Sequence, residues 1–165
     1  MPVPAPISTP EELHDMVAGF HLEWYRLRGP EAQLGFMLLV LKDGEVGVVP
    51  LEPIQRGLAL TDRRFSTLSE RDLTYAAARA AVKLLGPDAY CACSEAWMGK
   101  EAKPSEDPER VEVVATVAVG RLGGQRSSVL RMERDGTGQV VALEPEPMDM
   151  AFGDMFTLFG APTRH

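Results

Sequence analysis

The sequence predicts an α+β fold, with a mostly antiparallel sheet of about five to six strands and two helices packed on one face. Two segments, residues 9–28 and 69–86, show helical periodicity together with start and stop signals. About six further segments have strand-like patterns, and four of these follow one another toward the C-terminal end. A doubly wound parallel fold would instead require regular alternation of strands and helices.

The composition is that of an ordinary globular protein. Hydrophobic residues make up 45% and charged residues 25% of the 165 residues, so we expect one packed core. A chain of this length buries roughly 70% of the surface that it exposes when unfolded. We divide the chain into an extended leader at residues 1–8, a single α+β domain at 9–143, and an acidic Pro spacer with a Met/Phe-rich C-terminal segment at 144–165.

The charge balance disfavours anionic partners. Seventeen Lys and Arg residues stand against 24 Asp and Glu residues, a net charge of −7, which repels phosphate backbones and anionic membrane surfaces. No segment reaches about 18 consecutive apolar residues. We expect a cytoplasmic protein with no nucleic-acid and no membrane partner. The one basic cluster is interpreted as solvated strand faces and turns, with an anion contact as the alternative; it consists of Arg121, Arg126, Arg131 and Arg134.

The first helix has a complete start signal. Thr9 can cap the first turn, Pro10 suits the first helical position, and Glu12 completes a capping box. The helix is predicted to run to about Arg28, before Gly29-Pro30. Its apolar stripe, at spacings of three and four, consists of Leu13, Met16, Val17, Phe20, Trp24 and Leu27.

A β-hairpin and a long connection follow. Asp43-Gly44 separates two apolar runs, at 34–41 and 46–49, which is the pattern of a hairpin. The first run is apolar on both faces, so we expect it in the sheet interior. Residues 50–68 show no clear hydrophobic period, so we expect a long connection that contains a short strand or turn. Connections of this length are uncommon in compact domains and often functional.

The second helix is the clearest element of the chain. Ser69 caps it, the Ala-rich stretch from Tyr75 to Leu85 has strong helix propensity, and Gly86-Pro87 ends it. Turns at Gly123-Gly124 and at 135–138 then join strands into an antiparallel meander. The predicted strands of this meander lie at about 89–98, 110–119, 126–133 and 138–143.

The most distinctive stretch is Ser94-Glu95-Ala96-Trp97-Met98, followed by the loop Pro104-Ser105-Glu106-Asp107-Pro108-Glu109-Arg110. This pairing of an S-E-A-W-M strand with a P-S-E-D-P-x-R loop resembles uncharacterised proteins from bacteria and their phages, in which the loop likewise precedes a strand. The resemblance covers roughly residues 60 to 143 and implies no known activity.

Two interpretations of the 104–110 loop stay open. Its prolines can fix a turn whose Ser and Asp side chains bind nearby amides, which would make it a rigid hairpin connection. Alternatively, it contributes to a polar site near Trp97 where a cation or polar ligand could bind. The candidate residues of this polar site are Glu95, Trp97, Glu106, Asp107 and Arg110. Spacing alone assigns none of these carboxylates a catalytic role.

The cysteines form no recognisable site. Cys91 and Cys93 are too close in sequence for a normal structural disulfide, and no second pair exists to complete a zinc site. We interpret them as small core residues on the inner face of a strand. If the alternation holds, Glu95 shares that face and needs a buried partner.

The histidines likewise predict no metal site. His14 and His21 lie two turns apart on the first helix, about 10 Å along its axis, which is too far to bind one ion together. We expect them and His165 to be exposed to solvent. Ser127-Ser128 lies in a predicted strand without a nearby histidine. No catalytic residue, metal or cofactor is predicted.

The C-terminal segment has the pattern of a short docking helix. Phe152, Met155, Phe156 and Phe159 fall at i, i+3, i+4 and i+7. Four interpretations stay open: the segment packs onto its own sheet, onto a second copy or onto a different protein, or it is disordered.

Two classes of function follow. The favoured one is a non-enzymatic interaction or structural protein of the bacterial or phage cytoplasm, which self-associates as a homo-oligomer through contacts from the C-terminal segment and residues 50–68. The alternative is a small-molecule-binding protein or hydrolase-like enzyme whose polar site surrounds Trp97 and the 104–110 loop.

Overall fold

A computed structural model describes residues 6–98, 111–146 and 153–160. This part of the chain forms a six-stranded sheet in the order β2-β1-β3-β4-β5-β6, in which every neighbouring pair is antiparallel. The strands are β1 (Phe36–Lys42), β2 (Glu45–Val49), β3 (Ala89–Met98), β4 (Val111–Gly120), β5 (Gln125–Arg134) and β6 (Val140–Pro145). The helices are α1 (Pro10–Arg28), α2 (Leu51–Thr61), α3 (Arg63–Ser66) and α4 (Glu70–Leu85). The predicted α+β class and antiparallel meander are confirmed.

Local capping signals define the two long helices. The Thr9 hydroxyl accepts the backbone N–H of Glu12 at 3.1 Å, and the Ser69 hydroxyl accepts that of Asp72 at 3.1 Å. Gly86 ends α4 in the left-handed conformation, with φ of 55°, which a residue without a side chain adopts readily. The predicted bounds of both helices are confirmed. Within the described ranges, no helix is long and apolar enough to cross a bilayer.

Residues 50–68 are helical, which corrects the prediction of a long connection. Helix α2 directs Leu51, Ile54 and Leu58 toward the core that α4 covers, at spacings of three and four. Pro53 and Gly57 interrupt the sequence pattern and hide this periodicity. Pro53 is nevertheless tolerated because it lies in the first turn, where a backbone N–H has no partner within the helix.

The two long helices cover opposite faces of the sheet, which corrects the prediction that both lie on one face. Helix α1 packs through Leu13 and Val17 on the face that carries Cys91 and Cys93. Helices α4 and α2 cover the other face, which carries Tyr90. The reason is that β3 and β4 are apolar at successive positions, so both of their faces must be removed from water. The predicted burial of both cysteines in the core is confirmed.

The described part of the Met/Phe-rich C-terminal segment, residues 153–160, packs against its own sheet. It forms a 3-10 helix at Gly153–Phe156, and Met155 and Leu158 are each only 3% exposed. The Tyr90 hydroxyl donates to the carbonyl oxygen of Met155 at 2.6 Å and accepts the backbone N–H of Leu158 at 3.2 Å. Phe159 packs on the Tyr90 ring, with centroids 5.0 Å apart. Met155 and Leu158 therefore belong to the core on this face of the sheet.

The described residues of the expected docking helix are partly or fully buried against the chain's own core. Of its four candidate residues, Phe152 lies outside the described part of the chain. Met155 is buried, and Phe156 and Phe159 pack beside it against the core beneath α4.

Replacing Tyr90 by Phe tests this packing. The change removes the hydroxyl that bonds both Met155 and Leu158, so we expect the free energy of unfolding to fall by about 1–2 kcal/mol. Hydrogen exchange of the Leu158 amide should accelerate, because that N–H loses its acceptor. Urea denaturation and hydrogen-exchange mass spectrometry measure the two effects. A folded variant with unchanged exchange at Leu158 would contradict packing of this segment on the sheet.

Candidate functional site

A row of polar side chains crosses the sheet beneath α1. The helix contributes His14, His21 and Tyr25, whose spacings of seven and four place them on one face. Each reaches a different strand, first β5, then β4, then β3. The contacts are His14 Nε2 to Ser128 Oγ at 2.8 Å, His21 Nε2 to Thr116 Oγ1 at 2.8 Å, and Tyr25 Oη to Glu95 Oε1 at 2.5 Å. These contacts fix the rotation of α1 on the sheet.

The expectation of exposure is wrong for His14 and His21, while His165 lies outside the described residues. His14 is 5% exposed and His21 is 4% exposed. Burial of an imidazole is tolerated here because β4 and β5 present the hydroxyls of Thr116 and Ser128 directly opposite each other on the α1 face. Burial lowers the pKa of His21 to about 4, with a smaller effect from His14, so the His21 ring is neutral at pH 7.

One end of this row has the connectivity of a catalytic triad. Asp15 Oδ1 lies 2.8 Å from His14 Nδ1, and Ser128 Oγ lies 2.8 Å from His14 Nε2. The sequence-based statement that Ser128 lacks a nearby histidine is therefore wrong. Hydrogen bonds from His14 and Arg126 lower the pKa of the Asp15 carboxyl. Ser128 lies within the β4–β5 ladder and lines none of the clefts described below, so we interpret this arrangement as an anchor for α1.

A polar cleft lies at the other end of the row, beside the end of β3 and the start of β4. Its volume is about 340 Å³. It is lined by Gln33, Gly35, Glu95, Ala96, Trp97, Glu112 and Arg134. Two residues of the predicted polar site, Glu95 and Trp97, thus come together. The other three, Glu106, Asp107 and Arg110, lie outside the described residues.

Glu95 has the partners that its position on the inner face requires. Its Oε1 accepts the Tyr25 hydroxyl and the backbone N–H of Leu34, both at 2.5 Å. Burial and the Glu95 carboxylate both raise the pKa of Tyr25, so the phenol stays protonated and donates. Through these two bonds, Glu95 ties the end of α1 and the loop before β1 to the floor of the cleft.

Sequence reasoning missed the ion pair that forms the opposite wall. Arg134 Nε and Nη2 donate to the two carboxylate oxygens of Glu112 at 3.0 and 2.9 Å, and Nη1 donates to the Gly138 carbonyl at 2.7 Å. The Glu112 carboxylate is the main reason that the pKa of Arg134 is raised. Glu112 lies directly opposite Trp97 in the β3–β4 register. A strand-pairing register, which the sequence does not supply, was needed to bring these groups together.

The predicted basic cluster is neutralised by carboxylates. Besides Arg134, its members form ion pairs that the sequence spacing did not indicate. These are Arg126 with Asp15 at 2.6 Å, Arg121 with Asp88 at 3.5 Å, and Arg131 with Glu133 at 3.3 Å and with Glu146 at 3.5 Å.

A larger cleft of about 490 Å³ lies on the opposite face, beside the N-terminal half of α4. The rings of Phe36 and Tyr75 meet edge to face in its wall, with centroids 5.4 Å apart. Ser94 and Ala115 supply a floor of small side chains. Arg71 on its rim lies over the Tyr75 ring.

The buried thiols have no catalytic character. Burial raises the pKa of Cys93 to about 12 and raises that of Cys91 as well, so both stay protonated. In residues 6–98, 111–146 and 153–160, no three His, Cys, Asp or Glu side chains lie close enough together to hold a metal ion.

The buried His21 predicts an acid-sensitive stability. Its pKa is 6.5 in the unfolded chain and about 4 in the folded one, so the unfolded chain binds the proton first as pH falls. The stabilisation is complete above pH 6.5 and is lost between pH 6.5 and 4, by about 3 kcal/mol. We expect His21→Gln to flatten this dependence, measured by urea denaturation from pH 7 to 4.5. His14 and Cys93, the neighbouring titratable groups, are present in both proteins, so they cannot cause a difference between the two curves. Parallel curves for the two proteins would contradict burial of a neutral His21.

Comparison with known proteins adds no assignment. No family model, no curated protein and no solved structure matches the chain. The function must therefore be inferred from the described geometry.

Proposed function

We propose that this protein is a non-enzymatic, self-associating interaction protein, in which two copies pair through strand β2. The observation that carries the proposal is the outer edge of β2, which has no partner strand in the described part of the chain. This strand is one of the two outer strands of the sheet, and none of the described residues pairs with its outer side. An exposed strand edge is a template for pairing with another chain.

The hairpin register determines which backbone groups face outward. Asp43 and Gly44 form a two-residue turn with positive φ angles, flanked by the pair Lys42 and Glu45. Since hydrogen-bonded and non-hydrogen-bonded pairs alternate along an antiparallel ladder, Val46 and Val48 direct their N–H and C=O groups away from β1. The outer edge therefore offers two donors and two acceptors.

The two outer strands differ in their protection. Strand β6 ends in Glu144 and Pro145, a charge and an imino acid that discourage pairing. Between Glu45 and Pro50, strand β2 contains only Val and Gly residues. The Val48 side chain is 63% exposed. As far as residues 6–98, 111–146 and 153–160 show, the sheet is thus open to extension at its β2 side.

We place a two-fold axis at Gly47, about which the β2 strands of two copies pair with each other in antiparallel orientation. Val46 of one copy then lies opposite Val48 of the second copy, which forms four backbone hydrogen bonds and covers both Val48 side chains. A Cβ added at Gly47 would meet nothing within 4 Å, so the crossing point is sterically open. On the same face lies an apolar groove lined by Phe20, which is 64% exposed, and by Trp24. Its apolar surface adjoins the proposed interface.

The proposal differs from the sequence-based one in the surface used. In the C-terminal segment, the described residues Met155 and Leu158 are buried against the chain's own sheet. Within residues 50–68, α2 packs Leu51, Ile54 and Leu58 against the core on the sheet face that α4 covers. We place the function in the bacterial or phage cytoplasm, supported by the resemblance of the 94–110 stretch and by the two unbridged thiols.

A charge placed on the β2 edge tests the proposal. We expect the wild-type protein to have twice its 18.0 kDa chain mass, and Val48→Lys to be monomeric, because two lysines would meet at the interface. Val141→Lys is the matched control, since Val141 is an exposed valine on the other outer strand and should leave the dimer intact. Native mass spectrometry and sedimentation over a concentration series measure the mass.

Two outcomes would overturn self-association through β2. One is a wild-type chain that stays monomeric over the whole concentration series. The other is a Val48→Lys protein that dimerises as well as the wild type. Hydrogen exchange adds a separate check, because protected Val46 and Val48 amides in a monomer would mean that the chain's own residues cover the edge.

A further inference from the structure

We propose that the larger cleft beside α4 binds a small carboxylate with an apolar body, whose charged group pairs with Arg71. This cleft lies on the sheet face opposite α1 and has a volume of about 490 Å³, which is within the range of small-molecule sites. None of its described lining residues belongs to β2. This proposal and self-association through β2 can therefore fail independently.

The cleft exists because small side chains lie on the sheet beside the N-terminal half of α4. The strand register places Phe36, Ser94 and Ala115 next to one another across β1, β3 and β4. Ala96 follows Ser94 by two residues and therefore lies on the same face of β3. The Ser and Ala side chains are too short to fill the space that Phe36 fills beside them. The result is a cleft with a largely apolar interior, which buried Met155 also lines.

The hydroxyl groups in the lining are engaged within the chain. The Thr74 hydroxyl donates to the backbone carbonyl of Glu70 at 2.8 Å and accepts from Gln55 Nε2 at 2.7 Å. The Ser94 hydroxyl donates to the backbone carbonyl of Glu95 at 3.2 Å. The interior therefore favours an apolar group, and recognition of a charged group is left to the rim.

Arg71 supplies the positive charge at this rim. Its guanidinium carbon lies 5.9 Å from the centroid of the Tyr75 ring, and both residues line the cleft, so this contact holds the charge beside the opening. Within residues 6–98, 111–146 and 153–160, no carboxylate forms an ion pair with Arg71, and no acceptor binds its N–H groups. A guanidinium presents these donors in a planar fork that matches the two oxygens of a carboxylate. A ligand carboxylate thus fits this position.

The helical layer around the opening is positively charged, although the whole chain is not. Residues 50–85 carry six basic and four acidic side chains, a net charge of +2, whereas the chain carries −7. Glu70 also lines the cleft and partly offsets Arg71. The Glu95 carboxylate accepts the Tyr25 hydroxyl of α1, so it lies on the opposite face of the sheet. The local potential of this layer therefore favours an anion over a cation.

The interior determines the rest of the ligand. Its sheet side is formed by side chains without charged groups, namely those of Phe36, Ser94, Ala96 and Ala115. A charged group placed among them would lose its water without gaining a partner. The body of the ligand is therefore apolar and uncharged, about the size of one aromatic ring or a short branched chain. Its carboxylate remains at the rim beside Arg71.

Titration of the full-length protein with phenylacetate tests the proposal, followed by two-dimensional NMR of methyl groups. Ala96, Ala115 and Met155 line the cleft, and each has a methyl group that reports on its occupation. We expect saturable shifts of these resonances. The neutral control is phenylacetamide, which keeps the ring and loses the charge, and we expect it to bind more weakly. Added salt should weaken the binding of phenylacetate but not that of the amide.

Substitutions of arginine separate the charge from the apolar interior. Arg71→Gln should weaken phenylacetate binding about fivefold or more, because it removes the cation that pairs with the carboxylate. Arg71→Lys keeps the charge and should retain part of the affinity. Arg63→Gln is the matched control, since Arg63 is an exposed arginine on α3 outside the cleft, and it should leave binding unchanged.

A substitution at Ala96 tests the interior. Ala96→Leu adds side-chain volume to the sheet side of the cleft, so it should abolish binding of both phenylacetate and phenylacetamide. Ala96 is only partly buried, so we expect the urea denaturation curve to stay close to that of the wild type.

The inference fails on any of three results. The first is no saturable shift of the cleft methyl resonances with phenylacetate. The second is equal affinity for phenylacetate and phenylacetamide. The third is equal binding of phenylacetate by the wild type and Arg71→Gln.

Discussion

The structure depends on the burial of β3 and β4 on both of their faces. These strands are apolar at successive positions, and a strand turns alternate side chains to opposite faces, so a single covering layer cannot remove them from water. Helix α1 covers one face, while α4, α2 and the C-terminal segment cover the other. The antiparallel meander keeps these two strands in the middle of the sheet. The exposed strand edges are therefore left to β2 and β6.

Covering an apolar sheet with α1 creates a second constraint, because this helix carries three polar side chains on its buried side. An unmatched buried polar group costs about 1–3 kcal/mol. Each of the three finds a hydroxyl or carboxylate on a different strand, and no buried side-chain nitrogen or oxygen in the described part of the chain lacks a partner. Apolar burial alone would allow α1 to rotate or slide on the sheet. These pairings select one position, and that position delivers Tyr25 to Glu95 at the cleft.

The helices and strands could be predicted from sequence signals within each segment. The site could not, because its residues come together only through contacts between distant segments. The caps at Thr9 and Ser69 and the turn at Asp43-Gly44 depend on residues within a few positions of each other, so their structures could be inferred from the sequence. Helix α2 was missed because Pro53 and Gly57 obscure its period. The partners of the two histidines lie 114 and 95 residues away, and only the strand register brings them near. The same holds for Glu95, whose need for a partner was predictable although the partner's identity was not.

The cleft arises where one strand face passes from the core to solvent. On the α1 face of β3, alternate residues are two fully buried thiols, then the partly buried Glu95, then the half-exposed Trp97. A carboxylate at the third position would be costly deeper in the sheet and would be screened by water further out. At this depth its charge is held by neutral donors and still faces the cleft.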